Sequence, residues 1–236
     1  MNGSDREKAL VVLSGGQDST TCLYWAIDRF GRANVSSITF DYGQKHRIEL
    51  ECARDVAAAA GVANTCLPID TFAALGGDAL TDTAIAVSDK ANDDSELPVT
   101  FVPGRNLIFL TFAAAYAYRH AARNLVTGVA QTDYSGYPDC REETIVALQK
   151  AITLGMDREF TIHAPLMHRS KKETVELALE LGALDAMALT HTCYNGQRPP
   201  CGECQACRLR AKGLACRLRA KGFAEAGVRD PLLDKR

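Results

Sequence analysis

The stretch Ala9-Leu-Val-Val-Leu-Ser-Gly-Gly-Gln-Asp-Ser-Thr-Thr-Cys-Leu23 decides the fold of this chain. Its first five residues are all apolar, and an apolar run without alternation is typical of a strand that is covered on both faces, as in a parallel sheet. The segment from Asp18 to Phe30, after the glycines, has helical character. A buried strand that passes through a glycine loop into a helix is where an α/β sheet binds its ligands.

Strands and helices continue to alternate along the chain. Further strands are predicted at Val35–Phe40, Thr65–Ile69, Asn124–Val129 and Phe160–His163. Further helices are predicted at Arg47–Ala60, Asn106–Ala122, Glu142–Leu154 and Lys171–Leu181. This alternation predicts an α/β fold with a parallel sheet. The segment from Asp70 to Pro98 lacks periodicity, and we expect it to form a long surface loop.

Composition excludes several classes of function. The chain has 236 residues, enough for one substantial core or for a core with a small appendage. Lys and Arg number 27 against 29 Asp and Glu, and the net charge of −2 gives no reason to expect long nucleic acid or an acidic membrane as the main partner. No apolar run reaches the roughly 18 residues of a membrane span, and the polar start lacks the order of a secretory signal. We therefore expect a cytoplasmic protein.

The loop from Ser14 to Ser19 has the composition of an anion site. Glycines let the backbone approach an anion closely, and the N-terminus of the following helix supplies N–H donors and partial positive charge. The hydroxyls of Ser14, Ser19 and Thr20 add donors, and Asp18 is expected either to face Mg²⁺ or to cap the helix. The loop has no lysine and is not a Walker P-loop. The alternative is an ordinary strand-to-helix turn with a good cap.

A cysteine-rich tail follows the last α/β segment. Five of the nine cysteines lie between Cys193 and Cys216. Four of them, Cys193, Cys201, Cys204 and Cys207, have the spacing of a closed, structural Zn²⁺ site with four thiolate ligands. An iron–sulfur cluster or a redox thiol pair is the alternative. The segment 206–213 recurs nine residues later as 215–222, so Cys216 is a possible replacement for Cys207.

Three polar segments between the loop and the tail carry candidate site residues. Gly104 and Arg105, before an apolar helix, could approach a phosphate or could form only a turn. The loop from Gly128 to Arg141 mixes aromatic and charged residues that could stack and pair a flat heterocycle, or could be a polar connection. The pair Lys171-Lys172 opens a helix, where a lysine could neutralise phosphate charge or lie in solvent.

The loop from Ser14 to Ser19 resembles the Ser-Gly-Gly-x-Asp-Ser signature of the PP-loop ATP pyrophosphatases. These enzymes cleave ATP between its α and β phosphates and adenylate a substrate. The wider pattern resembles one PP-loop family, the QueC family of 7-cyano-7-deazaguanine synthases. The matching segments are Leu13–Leu23, Phe40–His46, Val102–Asn106, Thr132–Arg141 and the tail from Cys193 to Cys207.

The resemblance implies a parallel α/β sheet over residues 1–190, Rossmann-like and of the adenine nucleotide alpha hydrolase type, with a small zinc-binding region over residues 191–236. It implies an ATP-dependent carbon–nitrogen ligase of queuosine biosynthesis. Such an enzyme converts 7-carboxy-7-deazaguanine and ammonia to 7-cyano-7-deazaguanine through an adenylated acid and an adenylated amide, and releases AMP and pyrophosphate. It also implies Mg²⁺, structural Zn²⁺ and a homodimer, and no nucleic acid or membrane partner is expected.

Residue roles are carried over by position. Ser14, Asp18 and Ser19 are expected to act in catalysis. ATP is expected to contact the whole loop segment, Leu13, Ser14, Gly15, Gly16, Gln17, Asp18, Ser19, Thr20, Thr21, Cys22 and Leu23. The deazaguanine is expected to contact Asp133, Tyr137, Asp139 and Arg141, and zinc to bind Cys193, Cys201, Cys204 and Cys207.

Other functions are compatible with parts of this pattern. A PP-loop tRNA thiolase also combines such a loop with Cys-x-x-Cys, although its surface is usually more basic, and another adenylating amide ligase would share the loop. A zinc-knuckle module that binds nucleic acid would leave the larger α/β part unexplained. The duplicated segment 215–222 departs from the family pattern and leaves the packing of residues 208–223 open.

Overall fold

The computed structural model describes residues 7–44, 47–72, 101–131, 137–191 and 222–231. In these ranges the chain forms one parallel sheet of five strands, in the order β3-β2-β1-β4-β5. The strands are β1 (Ala9–Val12), β2 (Val35–Asp41), β3 (Ala63–Pro68), β4 (Asn124–Val126) and β5 (Thr161–His163). The predicted α/β fold with a parallel sheet is therefore confirmed.

Helices connect the strands in the predicted alternation. They are α1 (Gln17–Phe30), α2 (Ile48–Ala60), α3 (Arg105–Arg119), α4 (Glu142–Gly155), α5 (Lys171–Glu180) and α6 (Leu184–Met187). Gly61 ends α2 in the left-handed conformation, with φ of 65° and its N–H bonded back to the helix. No described helix is long and apolar enough to cross a membrane.

The two faces of the sheet are covered by different helices. Val11 on β1 belongs to the buried cluster that contains Leu23 of α1 and Val56 of α2. Leu10, its neighbour, faces the other way and belongs to the cluster of Leu110 on α3 and Ile145 on α4. The neighbouring strands β1 and β4 therefore lead to helices on opposite faces. This is the topological switch point, where an open α/β sheet has a crevice at its carboxyl edge.

Two predicted elements extend three residues beyond the observed ones. Helix α3 ends at Arg119 rather than at Ala122, because Ala121 has a positive φ of 57° and the chain turns back toward β4. Ala122 is still buried, which explains why its apolar side chain extended the predicted helix. Strand β4 ends at Val126 rather than at Val129, because Gly128 leaves the sheet and packs its backbone against the start of α1.

The end of the described chain packs back on the α/β core. Phe223 is 2% exposed and lies in a cluster with Val175 and Ala178 of α5 and with Met187 of α6. A side chain at Gly222 would lie 2.7 Å from the carbonyl oxygen of Lys171, so the backbone itself contacts α5 there. Gly222 is the last residue of the second copy of the repeat, and Phe223 follows it directly.

Several predicted features lie outside the described residues. They are Asp133, the four cysteines Cys193, Cys201, Cys204 and Cys207, and most of the predicted surface loop between Asp70 and Pro98. The division at residue 190 into an ATP-binding domain and a zinc-binding region stays a prediction.

Replacing Phe223 by Ala tests the docking of the C-terminal segment. The large buried ring leaves a cavity when it is removed, and we expect the free energy of unfolding to fall by about 3–5 kcal/mol. Urea denaturation followed by circular dichroism measures the change. Phe112→Ala is the matched control: Phe112 is 47% exposed, and its loss is expected to cost about 0.5 kcal/mol or less. Equal effects of the two substitutions would contradict the packing.

Candidate active site

The loop between β1 and α1, Leu13–Gly16, lies at the switch point and is held by its own polar groups. The N–H of Leu13 continues the sheet by donating to the carbonyl of Ile38, at 2.8 Å. The N–H of Ser14 donates to the hydroxyl oxygen of Ser19 at 3.2 Å, and the two serine hydroxyls are 3.0 Å apart. The chain therefore doubles back on itself over the first turn of α1, which brings both hydroxyls to the mouth of the crevice.

The space around the loop leaves no room for a side chain at Gly15. Its φ is +79°, and a Cβ there would lie 2.5 Å from the carbonyl oxygen of Glu49 and 2.7 Å from the backbone nitrogen of Ala53. Both atoms belong to the backbone of α2 and cannot move aside as a flexible side chain would. A similar approach occurs on the other side of α1, where a Cβ on Gly128 would lie 3.0 Å from the nitrogen of Ser19. The loop is therefore clamped between α2 and the segment after β4.

Helix α1 begins without a side-chain cap. Gly16 is its N-cap residue, and among the described residues no side chain accepts a capping hydrogen bond from the first turn. Asp18 does not cap the helix, so that alternative for Asp18 is wrong. The hydroxyls of Ser19 and Thr20 point back to the carbonyl of Gly16, at 3.1 and 2.8 Å. The first N–H groups of a helix need acceptors, and an uncapped helix start beside a glycine loop is suited to an anion.

A buried side-chain donor in the same turn also lacks an acceptor. Gln17 is 8% exposed, and its Nε2 atom has no hydrogen-bond partner in the described structure. Buried amide groups are nearly always paired, and leaving one unpaired costs about 1–3 kcal/mol. The Nε2 group of Gln17 is therefore a hydrogen-bond donor that is available to a bound ligand.

Lys171 supplies the positive charge that the loop itself lacks. Its Nζ donates to Oδ2 of Asp18 at 2.8 Å, and the lysine side chain is 17% exposed. A capping box of Ser170 and Glu173 fixes the start of α5, so the position of Lys171 is defined. Lys172, the next residue, pairs instead with Glu176 along the solvent face of the helix. The two lysines, which the sequence did not distinguish, therefore have different partners in the structure.

Cys22 is a structural thiol rather than a nucleophile. It is fully buried on α1 and donates to the carbonyl of Thr127 at 3.5 Å. Burial raises the pKa of this thiol well above its ordinary value, and the charge of Asp18 raises it further, against a lowering effect of Lys171. The thiol therefore stays protonated and links α1 to the end of β4.

A second group of charged and aromatic residues lies at the carboxyl edge beside the loop. Arg105 opens α3, and its guanidinium interacts with Tyr42 after β2 and with Tyr137 and Asp139 after β4. Burial would lower the pKa of Arg105, but the two tyrosines and Asp139 hold it above its ordinary value. The positive charge of Arg105 also acts on the carboxylate of Glu49 on α2 and has a lowering effect on its pKa. These five residues form what we call the Arg105 cluster.

The predicted substrate loop divides into parts with different surroundings. Asp139 is 4% exposed and accepts a hydrogen bond from the backbone N–H of Asn106 at 3.0 Å, so its carboxylate holds the start of α3. Tyr137 lies beside it, with its ring centroid 5.5 Å from that of Phe101. Arg141 is exposed and precedes α4 as its N-cap residue. Tyr137 and Asp139 therefore meet at the Arg105 cluster.

Glu49 and Tyr42 were not singled out from the sequence. A signal for Glu49 was present, because it occupies the helical stripe that Cys52, Ala53 and Val56 continue with fully buried side chains. A carboxylate in such a stripe is unusual unless it is paired or functional. In the described residues no group of three or more His, Cys, Asp or Glu side chains could hold a metal ion.

The fold and the loop together define a class of protein. A parallel sheet of this order, with a glycine loop and an uncapped helix start at its switch point, is a nucleotide-binding α/β fold. The family model described as queuosine biosynthesis protein QueC matches residues 8–227. The chain belongs to the QueC family.

Curated relatives carry one name. A 7-cyano-7-deazaguanine synthase of Chromobacterium violaceum is 65% identical over 235 residues, which cover 100% of this chain and 97% of the relative. The synthase of Laribacter hongkongensis is 60% identical over 98% of this chain and 96% of its own length. That of Lysinibacillus sphaericus is 51% identical over 89% of this chain and 94% of its own length.

Replacing Gly15 by Ala tests the clamp on the loop. The new methyl group would meet the backbone of α2 in a left-handed conformation, and we expect a loss of about 1–3 kcal/mol or more in the free energy of unfolding. Gly16→Ala is the control, since a Cβ at Gly16 would meet only the hydroxyl of Ser14, at an ordinary 3.5 Å. Urea denaturation of both variants decides. A Gly15→Ala variant as stable as Gly16→Ala would refute the close approach.

Proposed function

We propose that this protein is an ATP-dependent 7-cyano-7-deazaguanine synthase that works through two adenylated intermediates. The observation that carries the adenylation chemistry is the uncapped start of α1, with the unpaired buried amide of Gln17 beside it. Such a site offers several N–H donors at one point, which suits the phosphate oxygens of ATP. The names of the curated relatives supply the substrate.

The chemistry explains why ATP is needed. A carboxylate is a poor electrophile, so its oxygen first attacks the α phosphate of ATP and pyrophosphate leaves. Ammonia then displaces AMP and gives the amide. The amide oxygen is adenylated by a second ATP, and loss of that oxygen as AMP leaves the nitrile. The protein's part in both activations is to hold the pyrophosphate and to stabilise the charge that develops on it.

Residues of the loop divide this work. Ser14 and Ser19, whose hydroxyls contact each other and the carbonyl of Gly16, would turn these hydroxyls toward the phosphates as donors. The backbone of Gly15 and Gly16 brings the chain close to the phosphates. Asp18 is the carboxylate of the segment Leu13–Leu23 and would hold Mg²⁺ that enters with ATP. The ion would neutralise phosphate charge. Lys171 would then turn from Asp18 to the phosphates, a short movement for a flexible side chain.

A structural zinc ion is part of the proposal. Cys193, Cys201, Cys204 and Cys207 offer four soft thiolate ligands, and a closed set of this kind leaves no open position for water. The ion would stabilise the fold of the tail and take no part in the reaction. We further propose contact between the deazaguanine and the segment of Asp133, Tyr137, Asp139 and Arg141, because Tyr137 and Asp139 lie at the Arg105 cluster.

A homodimer in the cytoplasm completes the proposal. Val146 and Leu154 of α4, two exposed apolar side chains, offer a face for a second copy.

Product analysis tests the proposed reaction. The protein is incubated with ATP, Mg²⁺, ammonium and 7-carboxy-7-deazaguanine, and the nitrile and AMP are measured by liquid chromatography with mass detection. We expect both products, and neither when the carboxylated base is omitted. AMP that forms only when tRNA is added would instead support a thiolase.

Lys171→Ala is expected to reduce the turnover number by about 10²–10³-fold, because it removes a charge that balances the phosphates in the transition state. Steady-state AMP release measures the effect. Lys172→Ala is the matched control, since Lys172 pairs with Glu176 away from the loop, and it is expected to keep nearly full activity. A similar loss in both variants would show that helix α5, rather than the Lys171 charge, is responsible.

Zinc content distinguishes the two copies of the repeat. The purified protein is expected to contain about one equivalent of zinc by elemental analysis. Cys207→Ser should lose it, whereas Cys216→Ser should retain it. Cys66→Ser, a change at an exposed cysteine on β3, is the control. Full zinc in Cys207→Ser, with loss in Cys216→Ser, would assign the fourth ligand to the second copy.

A further inference from the structure

Glu49 stands in the first turn of α2, at the carboxyl edge of the sheet. Cys52, Ala53 and Val56 follow it on the same face of the helix and are fully buried. Residues at these spacings share one helix face, so Glu49 belongs to the face that α2 turns toward the core. Side chains of a helix lean toward its N-terminus. The carboxylate therefore leans from that face toward the carboxyl edge of the sheet, where α2 begins.

Its neighbours connect Glu49 to both parts of the site. The carbonyl oxygen of Glu49 lies against Gly15, where a Cβ would be only 2.5 Å away. Arg105, from the first turn of α3 on the opposite face of the sheet, acts electrostatically on the Glu49 carboxylate. Glu49 thus links the loop between β1 and α1 to the other members of the Arg105 cluster.

The carboxyl group is held in a state that suits proton transfer. In the part of the chain that the structure describes, no hydrogen bond or salt bridge engages it. Burial raises the pKa of Glu49 to about 7, against a lowering influence of Arg105. A general base is most effective when its pKa lies near the working pH. Glu49 has no role in the binding of ATP or in the two adenylation steps.

We propose that Glu49 is the general base that accepts the proton from nitrogen when ammonia attacks the adenylated carboxyl group. The proposal rests on the proposed function and adds a catalytic residue to it. The nitrogen lone pair forms the C–N bond, the bond from the acyl carbon to the bridging oxygen breaks, and that electron pair leaves with AMP. The positively charged nitrogen then loses a proton to the Glu49 carboxylate, which passes it to water.

The same carboxylate serves the nitrile-forming step. Attack of the amide oxygen on ATP leaves a positively charged nitrogen with two N–H bonds, and one of these protons passes to water, so that the adenylated amide carries one N–H bond. When the carbon–oxygen bond to AMP breaks, the electrons of that N–H bond form the third bond between carbon and nitrogen, and the proton needs an acceptor. One base is sufficient for both steps, because the second step deprotonates the nitrogen that the first step added.

Partial reactions of Glu49→Gln test the role. The variant keeps the side-chain volume and removes the base, and we expect ammonia-dependent amide and nitrile formation to fall by about 10²–10⁴-fold. Exchange of labelled pyrophosphate into ATP, which needs the carboxylated base but no ammonia, should fall far less. Hydroxylamine, largely unprotonated at neutral pH and a stronger nucleophile, should trap the adenylate at a much smaller penalty. Glu51→Gln, at an exposed position two residues away, is the control and should leave all three rates unchanged.

Each outcome of these assays decides something different. Equal losses with ammonia and with hydroxylamine would overturn the proposal, since they would give Glu49 a merely structural role. Full ammonia-dependent activity in Glu49→Gln would overturn it too. Glu49→Asp, which keeps a carboxylate, should be faster than Glu49→Gln, and the reverse order would count against proton transfer. An absence of pyrophosphate exchange in the unaltered protein would instead reject the proposed function.

Discussion

The contact of Gly15 with the backbone of α2 is the constraint on which the site depends. A Cβ at this position would lie 2.5 Å from the carbonyl oxygen of Glu49, so helix and loop approach as closely as a residue without a side chain allows. The same contact holds the loop over the start of α1 and leaves its first turn open. On the far side Gly128 approaches α1, where a Cβ would lie 3.0 Å from the nitrogen of Ser19. This second approach is possible because the neighbouring strands β1 and β4 lead to opposite faces of the sheet.

The clamp also explains where the charged groups stand. Because α2 is held against the loop, Glu49 in its first turn lies at the mouth of the crevice, while α3 brings Arg105 to the same edge from the other face. Lys171 arrives from α5 and reaches Asp18. A single helix start thus has cations and a carboxylate around it that come from three other helices. The site is assembled by topology, and no local segment contains it.

Because the site is assembled from several distant segments, the sequence could predict its local parts but not the contacts between them. The strand, loop and helix around Ser14–Ser19 were predictable, because the apolar run and the glycines are local signals. The end of β4 was not, since Gly128 leaves the sheet only because α1 lies across its path. The choice of Lys171 over Lys172 depends on which side of α5 faces Asp18. Glu49 was missed although its place in a buried helical stripe was a signal. Its neighbours Gly15 and Arg105 are distant in sequence and come together only in the fold. The zinc ligands and Asp133 lie outside the described residues and stay predictions.

The central claim is that the loop transfers AMP to an oxygen of the substrate. It is tested most directly by 7-carboxy-7-deazaguanine that carries a heavy-oxygen label in its carboxylate. If adenylation occurs at both stages, the label leaves the base in AMP, and mass spectrometry will find labelled AMP and unlabelled pyrophosphate. Label in inorganic phosphate, together with ADP, would mean that the substrate is phosphorylated instead, and it would contradict the account.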